Sequence, residues 1–184
     1  MDIVIERMNQ SDVEQVEKIQ TENQRIRLDA SQQEAGFLSI AFSREELKGF
    51  NNSICVAVAK DMKTVAGYCC VSNADYNARF PILDQIVANL SYFSIGQSKH
   101  PIDRTNTSIY GPVCVAAPYR NKGILKRLSS FAMARAKEAG YLYCLSFISP
   151  ENVRSMEAHL RLSFFSIGSV HLNNREYLVM GHNL

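Results

Sequence analysis

The stretch Val113–Leu125, V-C-V-A-A-P-Y-R-N-K-G-I-L, leaves few choices for the chain around it. A β-prone run ends in a tight basic turn, and apolar residues recur at helical spacing from Ile124 onward. A strand that delivers its end to a helix N-terminus makes an anion site. The first helical N–H groups lack backbone acceptors there, and the helix dipole adds partial positive charge. Arg120, Lys122, Lys126 and Arg127 crowd this turn although the dipole opposes cations at that end. A basic run is ordinarily a solvated face. Here it is joined to Gly123, where backbone amides can approach a ligand with no Cβ in the way. Neither the G-x-x-x-x-G-K-S/T phosphate loop nor the G-x-G-x-x-G dinucleotide fingerprint is present.

A chain of 184 residues with 46% hydrophobic content can bury one core but not two comfortable ones, so a single domain over 1–184 is expected. A net charge of +2 provides no global field for nucleic acid, and no aromatic residues interleave with the basic turn, so a nucleic-acid partner is not expected. Cys55, Cys69, Cys70, Cys114 and Cys144 are odd in number, lack C-x-x-C spacing and lie in mostly apolar runs. They read as reduced, buried thiols, with neither a disulfide framework nor a metal site. The opening M-D-I-V-I-E-R-M carries acids where a secretory signal needs bases, and no apolar run approaches spanning length. A cytoplasmic protein without membrane contact is the expectation.

In chain order, Ile3–Ile5 reads as a strand, and Ser11 with Glu14 forms a capping-box pattern for a helix running to about Arg27, with Val13, Val16, Ile19 and Ile26 on one face. The segment E-A-G-F-L, Glu34 to Leu38, interrupts the helical pattern, and a second capping box at Ser43 and Glu46 opens a short helix. Ile54–Ala59 and Val65–Val71 form a hairpin across the polar turn 60–63, with Gly67 marking a bulge, a close backbone approach or simply a tolerated glycine. From Ala74 to Asn106 the chain leaves the sheet, with a helix predicted from Pro81 until Gly96. This insertion could be an acceptor lid, a dimer contact or a core-covering helix.

Thr107–Val115 then carries Gly111-Pro112 inside a strand, which removes a ladder donor and predicts a local break that leaves backbone groups free. The helix after the turn stops at Gly140, and Leu142–Ile148 reads as a strand parallel to the one before the turn. The fold class is therefore α/β of the α+β type, with a mixed, mostly antiparallel sheet flanked by helices and a helical insertion between the third and fourth strands. A last helix is predicted from Glu151 to about Leu162. Val153, Met156 and Leu160 share one stripe, while Asn152, Ser155 and His159 share another and can address one ligand.

These motifs carry a resemblance. The turn Arg120, Asn121, Lys122, Gly123, Ile124, Leu125 is similar to the acyl-CoA pyrophosphate loop of the GNAT N-acetyltransferase superfamily, Q/R-x-x-G-x-G/A, with Leu125 where a small residue is usual. The segment E-N-V-R-S-M-E-A-H-L-R-L-S-F-F resembles its final motif, roughly N-x-x-A/S-x-x-x-Y-x-x-x-G-F. Asn152, Ser155 and Phe164 match, His159 stands in place of Tyr, and Ser163 in place of Gly. With E-A-G-F-L and V-C-V, the pattern resembles an uncharacterised bacterial branch of the superfamily over nearly the whole chain.

The resemblance implies an N-acetyltransferase that uses acetyl-CoA as acyl donor and moves the acetyl group directly to a primary amine, with no metal and no covalent enzyme intermediate. The rival reading is a non-catalytic acyl-CoA-binding or sensing module. Cofactor contacts would come from the backbone of Val113, Cys114 and Val115, from the loop Arg120–Leu125, and from Asn152 and Ser155. His159 would protonate the departing thiolate. The superfamily's strand carboxylate is missing; Ser108 and Tyr110 stand on that strand, and Glu34, Asp75 and Tyr68 are further candidates for the base, with Tyr110 taken beside His159 as catalytic. Gly36, Phe37 and Leu38 would line the acceptor pocket. Small-molecule and peptide amines fit the same cofactor half, and a homodimer is a common family assembly.

Overall fold

Residues 55–59 and 65–71 are apolar on both sides of the alternation, so they fit the middle of a sheet covered on both faces. The computed structural model of the protein describes residues 2–96, 100–172 and 175–184. In it β2 (Cys55–Asp61) and β3 (Thr64–Asn73) form the expected hairpin, with β1 (Ile3–Arg7) on its outer edge. With β4 (Thr107–Val115), β5 (Tyr143–Ile148), β6 (Phe165–Leu172) and β7 (Arg175–Asn183) they make one seven-stranded sheet of order β1-β2-β3-β4-β5-β7-β6. Among these seven strands only β4 and β5 pair in parallel.

Alternation along the strands divides the core in two. Val56, Val58, Tyr68 and Cys70 face α1 (Val13–Asn23), α3 (Arg44–Ser53) and α5 (Pro81–Ala88), whose Val16, Leu47, Phe50 and Ile86 are buried against them. Cys55, Ala57, Ala59, Ala66 and Cys69 turn the other way, toward Ile124, Leu128, Ala132 and Ala136 of α6 (Ile124–Glu138). Small residues on both partners let that helix lie close to the strands. All five cysteines are free and buried in these layers.

Several helix boundaries differ from the sequence expectation. The first capping box is made by Asn9 and Asp12, not Ser11 and Glu14, and the buried Asp12 carboxylate also meets Lys60 at 2.7 Å. The helix ends at Asn23, because Gln24 is extended; a 3-10 turn follows over Arg25–Arg27, and Ile26 is 89% exposed instead of lying on the apolar face. The Ser43–Glu46 box forms as expected.

Within the 74–106 insertion, of which residues 97–99 lie outside the described residues, the chain makes α4 (Ala74–Asn77), then α5, then a 3-10 turn over Leu90–Tyr92 in place of helix up to Gly96. Leu83, Leu90, Phe93 and Ile95 pack in the same core as Val170 and Val179, so the insertion covers the β7–β6 half of the sheet.

The break predicted at Gly111-Pro112 lies where the site forms. Across β3 the register shifts between Cys69 and Val71, and the Gly111-Pro112 peptide is cis. Across β5, pairing runs only from Thr107–Tyr143 to Ile109–Leu145. Past Ile109, β4 and β5 part. The end of β4 stays on β3 through a close approach at Gly67, where a Cβ would stand 2.8 Å from the Cys114 carbonyl oxygen and 3.1 Å from Val115 Cα. Gly67→Ala must push these backbones apart, and we expect it to lower unfolding stability by about 1–3 kcal/mol in urea denaturation.

Candidate active site

The end of β4 runs through a 3-10 turn, Ala117–Tyr119, into α6. Asn121 (φ 61°) and Gly123 (φ 74°) both take left-handed backbone, and nothing lies within 4 Å of where a Gly123 Cβ would be. Glycine is used at 123 for its conformation and not for space. As N-cap it gives α6 no capping side chain, and the first turn contains no acid. The free N–H groups of that turn are left for an outside anion.

Antiparallel parity decides which backbone groups of β4 face outward. The Ala116 N–H donates to the Ala66 carbonyl at 2.9 Å, so Cys114, two residues earlier, also turns its N–H and C=O to β3. Val113 and Val115 present theirs to the opening left by β5, and the Val115 carbonyl there accepts from Arg120 Nε at 3.1 Å. The expected backbone contact from Cys114 is thus committed to the sheet, while the Val113 N–H and C=O and the Val115 N–H point into the opening.

Most of the basic turn is brace. Besides Val115, Arg120 donates through Nη2 to Asn23 Oδ1 at 2.6 Å and through Nη1 to the Ala35 carbonyl at 3.5 Å, joining β4, α1 and the 34–38 segment. Lys122 donates to the Pro118 carbonyl at 2.9 Å with its ammonium over the Tyr119 ring, and Arg127 turns away to the Ile3 carbonyl at 2.6 Å. Lys126 lines the opening, joined by two arginines that the sequence reading passed over, Arg154 and Arg161 of α7 (Val153–Arg161). Their spacing of seven on one helix was the available signal.

The 36–38 segment is held from both sides. The Leu38 N–H donates to the Asn23 carbonyl at 2.8 Å, and Asn152 Nδ2 donates to the Phe37 carbonyl at 2.7 Å. Asn152 Oδ1 accepts the Ser155 N–H, so this side chain caps α7 and tethers the loop. It is positioning where direct cofactor contact was expected. Arg25 lies over the Phe37 ring and pairs with Glu151.

Two cavities result. A cleft of about 710 Å³ runs from the α6 N-terminus past Val113 and Val115 to His159. Of the expected site residues all but Lys122 and Tyr110 line it. A smaller one, about 80 Å³, lies between the 37–42 segment, Gly111-Pro112 and the end of β5, and both cavities are bounded by Phe37, Leu38, Val113, Asn152, Ser155 and His159.

On α7 the polar stripe is the inner one: Asn152 and His159 are buried, whereas Val153 and Leu160 of the apolar stripe are exposed. His159 Nδ1 lies 2.8 Å from the Ser155 carbonyl, which can only accept, so Nδ1 carries the proton. In the neutral ring Nε2 is then a lone pair, 3.3 Å from Ser146 Oγ, a residue that sequence reasoning did not select. Burial holds the imidazole below its ordinary value of 6.5, against a smaller upward pull from the Ser155 carbonyl. The resting ring therefore offers no donor for a thiolate until Nε2 has itself taken up a proton. Instead it offers an acceptor.

The other base candidates are placed differently. Tyr110 borders the small cavity, but its hydroxyl is buried 2.5 Å from Ser129 Oγ, and burial pushes it well above the usual phenol range. The Ser108 hydroxyl donates to the Tyr143 carbonyl, Tyr68 is fully buried, Asp75 pairs with Arg104 at the surface, and Glu34 lies on the cleft wall.

A profile of the acetyltransferase (GNAT) family matches residues 14–164. The chain belongs to this family. This makes it an N-acetyltransferase with acetyl-CoA as acyl donor. Solved structures share the fold at low identity. Ard1 from Thermoplasma volcanium superimposes with a TM-score of 0.66 at 12% identity, covering 100% of this chain and 99% of that one. The yncA protein of Salmonella typhimurium, solved with acetyl-CoA, gives 0.65 at 14%, covering 100% and 95%. An acetyltransferase of the GNAT family from Streptococcus pneumoniae gives 0.64 at 15%, covering 100% and 99%. No curated protein matches by sequence. Among the described residues no cluster of metal-ligating side chains occurs, and no helix is long and apolar enough to cross a membrane.

Two outcomes follow for this acetyltransferase. Because the folded-state value of His159 lies below the unfolded one, the unfolded chain binds the proton first. The stability present above pH 6.5 is then lost as pH falls through that value toward the folded one. Urea denaturation across this range should show that decline, and His159→Gln should remove it. Arg120→Ala strands the Asn23 and Val115 oxygens and is expected to cost about 1–3 kcal/mol in the same measurement.

Proposed function

We propose that this acetyltransferase carries the acetyl group of acetyl-CoA directly to the nitrogen of a primary amine, with donor in the large cleft and acceptor in the small cavity. The observation that carries this reading is the parting of β4 from β5 past Ile109, which makes the two cavities meet at Val113 and His159.

The residues present suit the donor. The outward N–H and C=O of Val113 and the N–H of Val115 offer a strand edge on which an extended amide chain can lie, the Val115 carbonyl being held by Arg120. The uncapped amides of α6, with Lys126 and Arg154 on the cleft wall, supply positive potential for a pyrophosphate. Acetyl-CoA supplies the activated thioester. The Val113 N–H, aimed at the junction, is placed to hold its carbonyl oxygen and to stabilise negative charge developing there.

An ammonium has no lone pair, so the acceptor attacks as the neutral amine and must shed a further proton as the C–N bond forms. Ser146 Oγ stands on the wall of the acceptor cavity, hydrogen-bonded to the lone pair of His159 Nε2. As the C–N bond forms, the amine proton passes to Ser146 while the Ser146 proton passes to Nε2. The C–S bond then breaks, and the imidazolium returns the proton to the thiolate. His159 is thereby a base first and an acid second, with the Ser155 carbonyl steadying the charged ring between the two steps.

Calorimetric titration with acetyl-CoA tests the donor half, and thiol release with added amine tests the rest. Binding is expected, and its absence would overturn the reading. Ser146→Ala should lower turnover about a hundred-fold and leave acetyl-CoA affinity intact; unchanged turnover would exclude the relay.

A further inference from the structure

The acceptor cavity has a composition that narrows what can enter it. Its apolar wall is built by Leu38, Ile40, Phe42, Leu83, Pro112 and Phe147. The polar groups are hydroxyls, the Asn152 amide and the His159 ring. No described residue lining it is Asp, Glu, Lys or Arg. Two acids adjoin lining residues along the chain: Glu151, beside Asn152, is engaged by Arg25, and Asp84, beside Leu83, is exposed at the surface.

A carboxylate or a second ammonium brought into such a space sheds its hydration and meets no opposite charge. The hydroxyls and the neutral imidazole can hydrogen-bond an amine but cannot neutralise an ion. The same lining favours the reacting nitrogen itself in its neutral form, since desolvation penalises the ammonium. The wall therefore selects the protonation state that the chemistry needs and rejects charge elsewhere on the acceptor.

Resting on the proposed acetyl transfer, we infer that the acceptor is a primary amine carried on a compact, uncharged, apolar body, with neither a carboxylate nor a second ammonium beside the reacting nitrogen. A small alkyl or arylalkyl amine has this chemistry, and so does the N-terminus of a peptide that begins with an apolar residue. Free amino acids, polyamines and aminoglycosides do not.

The test is thiol release from acetyl-CoA with phenethylamine, leucine amide, a short peptide beginning with leucine, free leucine and spermidine, each rate expressed per neutral amine present. The first three should exceed free leucine and spermidine in kcat/KM by about ten-fold or more. Leucine amide against leucine isolates the carboxylate. Among the first three, preference for the peptide assigns a chain N-terminus as the source, and preference for the free amines assigns a small molecule.

Ser149→Asp places a carboxylate on the rim of the same cavity, and should raise spermidine relative to phenethylamine by about ten-fold. Equal or better use of leucine or spermidine by the unaltered protein would overturn the inference. So would acetyl-CoA binding with no turnover of any apolar amine, and both results leave the donor half standing. Failure to bind acetyl-CoA removes the underlying reading instead.

Discussion

Everything at the site depends on a hydrogen-bond ladder that stops. β4 and β5 pair over three residues and then separate, and a sheet interior cannot leave backbone donors and acceptors unpaired without water or a ligand to meet them. Gly111 and Pro112 sit just beyond the last pair: the glycine takes φ 108°, and the proline has no N–H to give. The other edge of β4 holds to β3 through Gly67, so the strand bends away from one neighbour without leaving the other. On its strand side the opening is consequently fixed by the core, while residues of the 34–42 segment close the other side.

Rigidity at the rim has a different origin. Arg120 ties β4 to α1 and the 34–38 segment, and Asn152 ties that segment to α7. Both residue types were expected at the ligand, and both spend their hydrogen bonds on the protein. Guanidinium and amide groups are the side chains with several directed donors or acceptors, which makes them suited equally to holding a phosphate or to joining three backbones. Their type in the sequence could not separate these uses; only the partners do.

The architecture was legible because its signals are local. Gly111-Pro112 announced the break, the Ser43 and Glu46 pair announced a helix start, and the apolar runs 55–59 and 65–71 announced a buried hairpin. The parts that were misread depend on tertiary context. Ile26 has helical spacing from Val13 and Ile19, yet Gln24 is drawn out by a bridge to Leu38, and the helix ends before Ile26. On α7 the polar stripe lies inward because its partners, Ser146 and the Phe37 carbonyl, come from segments 13 and 115 residues away. No spacing rule within the helix contains that information. Ser146 lies within the apolar run 142–148, and only the tertiary fold brings it opposite His159 of α7.

The burial of the cysteines has a practical side. Desolvation pushes the thiols of Cys55 and Cys114 up to about 11 and that of Cys144 up to about 12, and those of Cys69 and Cys70 lie well above the ordinary thiol range. Since the thiolate is the reactive form, the folded protein is chemically quiet toward disulfide reagents near neutral pH. A chromogenic disulfide can therefore report free CoA continuously in its presence. In the absence of acetyl-CoA, a slow rise in signal would then count cysteines exposed by unfolding.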